Sequence, residues 1–155
     1  ENKDIWFNIR RLMAEESCYE FLGVHIDGVI YGQGNDVTGK GKFSSYARFL
    51  NTGKLSFLYC GDIDRAGFDI FFRLCKEAAE LDIVLFVPIY KKMLELADVS
   101  LLPESDDKRG KDIETDSLRE LFSEEEIDKI NDVLSADKRL PQEIINYEVL
   151  KNNSR

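Results

Sequence analysis

Asp62 and Asp64 stand one residue apart, directly after the apolar run Leu55 to Cys60. If that run is a buried strand, both carboxylates project side by side from its end. Mg2+ or Mn2+ requires such hard oxygen ligands in a compact octahedral set. A bare Asp-x-Asp is common, but a strand followed by Gly61-Asp62-Ile63-Asp64-Arg65-Ala66-Gly67 and then a helix is a narrower pattern. The ordinary alternative is a helix cap, because an Asp just before a helix satisfies its first amides, and Asp64 stands where that cap belongs. Asp62 has no comparable structural duty. On these residues alone both readings stay open.

Other side chains point to chemistry less specifically. His25 lies in a strand-like run without a recognisable Ser or Cys nucleophile partner, which fits a structural role. Lys40 and Arg65 are candidates to contact phosphate, although solvated charge is the default for both. Glu143 is a candidate additional acid of the pocket, yet a carboxylate near a helix start more often complements the helix dipole. Gly32 and Gly34 allow a close backbone approach to a substrate or metal. Aspartyl-phosphate phosphatases also place Asp-x-Asp after a buried strand, with Asp62 then the nucleophile and Asp64 the acid. They usually carry a hydroxylic residue two positions on, where this chain has Ala66.

These residues need a frame, and hydrophobic spacing supplies one. Ile5, Trp6, Ile9, Leu12 and Met13 recur at helical spacing from Asp4 to about Phe21. Val24 to Tyr31 is short and rich in β-branched residues, and it empties into Gly32-Gln33-Gly34-Asn35, so it predicts a strand and a flexible turn. Thr38 to Leu50 predicts a helix, Lys54 to Cys60 a strand, and the stretch after Asp64 a long helix to about Leu81. Ile83 to Ile89 and Tyr90 to Ala97 complete a third strand and helix. Strands that are apolar throughout and alternate with helices imply a parallel sheet covered on both faces. Such sheets bind ligands beyond the carboxyl ends of their strands, where Gly32 to Asn35 and Gly61 to Asp64 both fall.

After Pro103 the stretch Glu104 to Asp112 is charged and apolar-free, as an exposed loop would be. Ser123-Glu124-Glu125-Glu126 is a capping box before Ile127, Ile130, Val133 and Leu134, and Pro141 opens another helical stretch through Ile144, Ile145 and Val149.

With 43% hydrophobic and 33% charged residues, the 155-residue chain can bury a sizeable core. Its longest apolar stretches fall short of the roughly 20 residues of a bilayer span. Three cysteines without metal-ligand spacing, Cys18, Cys60 and Cys75, fit reduced thiols in a cytoplasm. The net charge of −9 has the wrong sign for gripping a phosphate backbone unaided, so a nucleic-acid substrate must be held by something else. The first residue is Glu1 rather than Met, as in a fragment or a processed chain.

The segment Leu58 to Ile70, with Asp62-Ile63-Asp64 at its centre, resembles the Asp-x-Asp motif of Toprim domains, especially those of Spo11 and the type IIB topoisomerase A subunit. It resembles still more the C-terminal domain of the Wadjet anti-plasmid nuclease subunit JetD. Ile30-Tyr31-Gly32-Gln33-Gly34 resembles that family's strand and glycine turn, and Arg139-Leu140-Pro141-Gln142-Glu143 resembles an element near its C-terminus. Glu1-Asn2, followed by a helix bearing an aromatic residue, is similar to the family's Glu-Asn element.

The resemblance implies a Toprim, Rossmann-like parallel sheet flanked by helices, with a core over 1–100 that lacks its first strand and a small helical extension over 101–155. It implies Mg2+ or Mn2+ held by Glu1, Asp62 and Asp64, with Glu143 as a further ligand, and metal-dependent DNA strand cleavage. Gly32, Gly34 and Arg65 would face the substrate. DNA would be reached through the complete protein, with SMC-like complex subunits and a second copy as partners and no membrane. Topoisomerase relatives use a tyrosine on a separate domain, whereas the six tyrosines here fall in packing patterns, so a metal-activated water is the expected nucleophile. The chain alone is expected to be inactive. A non-catalytic scaffold in a DNA-processing complex is the alternative.

Overall fold

Ser17 has a φ of 53°, and this left-handed residue stops the first helix, α1 (Lys3–Glu16), short of the Phe21 that helical spacing predicts. The computed structural model describes residues 3–50, 54–105, 113 and 115–155. Ile5, Ile9 and Leu12, one face of α1, are buried. Beyond the stop the chain forms an antiparallel hairpin of β1 (Glu20–Phe21) and β2 (Val24–His25). Leu22 and Gly23, at φ 50° and 79°, give the twist that a two-residue hairpin turn needs. Arg155 pairs with the same edge, exchanging two backbone hydrogen bonds of 2.9 Å with Glu20.

The strand expected from Val24 to Tyr31 is thus cut to Val24–His25, with an antiparallel partner, and residues 26–32 continue outside regular structure. Ile26 and Val29 still pack on the core, while Ile30 and Tyr31 are exposed. The glycine turn enters a short 3-10 turn, Gly34–Thr38, and Gly39 and Gly41 delay the next helix to α2 (Lys42–Leu50).

β3 (Ser56–Tyr59) pairs in parallel with β4 (Asp82–Leu85), and α3 (Arg65–Glu77) forms the crossover between them. β4 ends before the predicted Ile89 because Pro88 occupies the first turn of α4 (Val87–Leu96), where its missing amide costs nothing. α5 (Glu124–Ser135) starts at the Ser123–Glu126 capping box, as its sequence predicts. Pro141 leads into a 3-10 turn, Gln142–Ile144, and the helix proper, α6 (Tyr147–Asn152), waits for the Asn146 cap. The described residues therefore form a mixed α/β fold with six α-helices, one parallel strand pair and one antiparallel pair.

One buried cluster joins Leu12 and Phe21 to Phe68, Ile89, Tyr90, Ile130, Leu140 and Leu150, so residues beyond 101 share the core of those before it. Among the described residues no helix is long and apolar enough to cross a membrane.

Candidate functional site at the carboxyl end of β3

The site is assembled by one short antiparallel contact. After β3 the chain turns at Gly61, whose N–H donates to the buried Tyr90 hydroxyl at 2.9 Å. Ile63, fully buried, then bridges to Leu140: its N–H donates to the Leu140 carbonyl at 3.0 Å and its carbonyl accepts from Leu140 at 3.1 Å. This bridge brings Arg139 and Gln142 to Asp62.

The Asp62 side chain is 16% exposed. Its Oδ1 accepts the backbone N–H of Gln142 at 2.9 Å, and its Oδ2 lies 3.8 Å from Arg139 Nε, beyond hydrogen-bond reach. Burial pushes the Asp62 carboxyl above the usual carboxylate range; negative charge on Glu143 and Asp64 pushes the same way, and the Gln142 amide and Arg139 oppose it. Glu143 is exposed, in the 3-10 turn that follows Pro141.

Asp64 performs the cap. It is 3% exposed and precedes α3, with Oδ1 accepting from Gly67 N–H at 2.7 Å and Oδ2 accepting from the Ser105 hydroxyl at 3.0 Å. Both oxygens are therefore engaged within the protein. Gly67 is sterically required: a Cβ there would sit 2.3 Å from the Asp62 carbonyl oxygen. Tyr59 ties the same turn to the strand, its hydroxyl donating to the Gly67 carbonyl at 3.1 Å.

The other expected residues are placed differently. Arg65 is turned to the end of α5, its Nε donating to Asp137 at 3.1 Å and its Nη2 to the Leu134 carbonyl at 3.0 Å. Gly32 and Gly34 line an apolar cavity of about 430 Å³ that reaches Cys60 and Gln142 but is not lined by the two aspartates. Arg73 binds that loop to α3, donating to Asn35 at 3.1 Å and to the Thr38 hydroxyl at 2.6 Å. His25 is exposed and 3.3 Å from Asp27. Lys40 is exposed as well. Glu1 lies outside the described residues.

As a cation site, the donor chemistry fits in part. Asp62 Oδ2 is a hard oxygen that accepts no hydrogen bond from the described residues, and it stands among repelling carboxylates. Among the described residues, however, no three His, Cys, Asp or Glu side chains converge to hold a metal ion.

Sequence reasoning missed Gln142 and Ser105 as partners of the aspartates, and it gave Arg139 no role. Gln142 is 1% exposed, and its Oε1 accepts from the Cys60 thiol at 3.6 Å. The available signal was the polar motif around Leu140, whose pairing with a segment some eighty residues away no local pattern specifies.

No curated protein and no solved structure matches the chain. Residues 14–154 match the family described as Wadjet protein JetD, C-terminal, and the chain belongs to that family.

Proposed function

We propose that this domain is the Toprim-type catalytic part of a Wadjet plasmid-defence protein and that it serves metal-dependent cleavage of DNA strands. The observation that carries the reading is Asp62: a mostly buried carboxylate at the carboxyl end of a parallel strand, crowded by the charges of Asp64 and Glu143, with one oxygen unclaimed. Family membership gives the plasmid-defence context.

Asp62 and Asp64 would hold Mg2+ or Mn2+, with Glu143 and Glu1 as the further carboxylates. When bound, the ion neutralises charge on the scissile phosphate and lowers the pKa of a water. The chain's own residues do the positioning. The Ile63–Leu140 bridge fixes the loop, Gln142 orients the Asp62 carboxylate, and Asp64 and Gly67 seat α3 against the Asp62 carbonyl. Gly32 and Gly34, on the cavity that reaches Gln142, and Arg65, once released from Asp137 and the Leu134 carbonyl, are the further substrate contacts of this reading. DNA would be delivered by the complete protein, with SMC-like subunits and a second copy as partners, in the cytoplasm.

One specific observation favours a second reading, a structural scaffold. Asp64 is nearly inaccessible and spends both oxygens on Gly67 and Ser105. Plasmid nicking separates the two. Nicking of supercoiled plasmid in Mg2+ or Mn2+ by the complete protein in its complex, lost in Asp62→Asn, is expected. Nicking unchanged in that variant, or absent in both, favours the scaffold.

A further inference from the structure

Arg139 is held in place by its backbone and left incomplete at its side chain. Its N–H donates to the Pro103 carbonyl at 2.9 Å, and the adjoining Leu140 is locked to Ile63. The neighbouring Lys138 is committed to the backbone, donating to the Val99 and Ser100 carbonyls at 2.8 and 3.3 Å. The guanidiniums of Arg65, Arg73 and Arg119 each meet a carboxylate at 3.1 to 3.2 Å. Arg139 does not: its Nε is enclosed and has no hydrogen-bond partner, and Asp62 Oδ2 stands off at 3.8 Å. The side chain as a whole is still 43% exposed.

A counter-ion for Asp62 would close to contact, as Lys151 does on Glu16 at 2.7 Å. An enclosed donor without an acceptor is costly, and here that cost is borne while Nε faces Asp62 at 3.8 Å and the side chain as a whole stays partly exposed. Guanidinium is a rigid planar fork suited to phosphate oxygens, and with one edge toward Asp62 its exposed end remains for an anion. We propose that Arg139 is the phosphate-binding residue of this site, gripping an oxygen of a phosphodiester beside Asp62. The ligand class rests on the strand-cleavage reading; the anion site itself rests on the arginine. A phosphate held there lies next to the carboxylates that would carry the cation.

The test follows the Nε–Hε signal of Arg139 in proton–nitrogen spectra of the 155-residue chain, titrated with the dinucleotide TpT and separately with inorganic phosphate. Saturable movement with TpT, and an apparent affinity at least about tenfold weaker in Arg139→Lys, are expected. The lysine variant keeps the charge and loses the fork, so a mere counter-charge role leaves TpT binding unchanged in it and overturns the proposal. Its thermal unfolding, matched to wild type, shows that the variant folds. A signal that TpT does not move, or that only inorganic phosphate moves, also overturns it. Mn2+ broadening of signals around Asp62, recorded on its own, reports the cleavage reading separately. Broadening without an Arg139 response removes the anion site alone, and an Arg139 response without broadening upholds it while removing the cleavage reading.

Discussion

At Asp62 the fold holds a carboxyl that burial and two neighbouring carboxylates drive upward. Because the folded value lies above the unfolded one, the stabilising contribution is complete below the ordinary value of 3.8 and is lost as pH rises through the folded value. Asp62→Asn keeps an acceptor for the Gln142 amide and removes the ionisation. In the absence of metal at pH 7 the variant is expected to be more stable than wild type, with the difference shrinking toward pH 4. Thermal unfolding across that range checks it, and a less stable variant at pH 7 contradicts it. Gly67→Ala tests the neighbouring constraint. With a Cβ 2.3 Å from the Asp62 carbonyl oxygen, it is expected to cost about 1–3 kcal/mol in urea unfolding and to weaken Mn2+ binding. Of these residues, the aspartates could be read from the sequence because strand, glycine and paired acids are contiguous. Gln142 and Arg139 could not, because their role comes from a contact between distant segments.

Among the elements, the Ile63–Leu140 bridge is the joint that makes a site out of two loops. Leu140 is fully buried, so Leu140→Ala is expected to cost about 2–5 kcal/mol and to loosen the Gln142 bond to Asp62, seen as faster exchange of the Gln142 amide. Ser123→Ala removes the capping box of α5, far along the chain from Asp62. It is expected to cost about 1 kcal/mol with Mn2+ affinity unchanged, so stability loss and site loss come apart. That cap was legible because its two residues lie three apart. The boundaries at Ser17, Pro88 and Asn146 were not, since apolar spacing runs past Ser17, the apolar strand pattern of Ile83 to Ile89 runs past Pro88, and the start signal at Pro141 precedes the Asn146 cap that opens α6. Val24 to Tyr31 misled because an apolar, β-branched run suits both a strand and irregular packing: only Val24 and His25 pair, while Ile26 and Val29 pack on the core without a strand partner.

For the whole molecule, alternation of strand and helix correctly indicated a mixed α/β fold with a parallel pair, while only two of the three expected strands share that pair and the remaining one, shortened to Val24–His25, joins an antiparallel hairpin. The C-terminal elements join the same buried cluster through Ile127, Ile130, Val133, Leu140 and Leu150. A net charge of −9 means that the chain by itself is expected to bind duplex DNA more weakly than the roughly 10⁻⁴ to 10⁻⁶ M typical of non-specific DNA-binding proteins, as measured by fluorescence anisotropy at physiological salt. On the proposed function, DNA must therefore be delivered by other parts of the protein or by its partners. The proposed function requires a cation at the Asp62 carboxylate, and calorimetric titration of Mn2+ tests this most directly, with wild type set against an Asp62→Asn, Asp64→Asn double variant. Asn caps a helix as well as Asp does, so the variant keeps the start of α3. Saturable binding in wild type that disappears in the variant is the expected result; equal binding in both, or none in either, contradicts it.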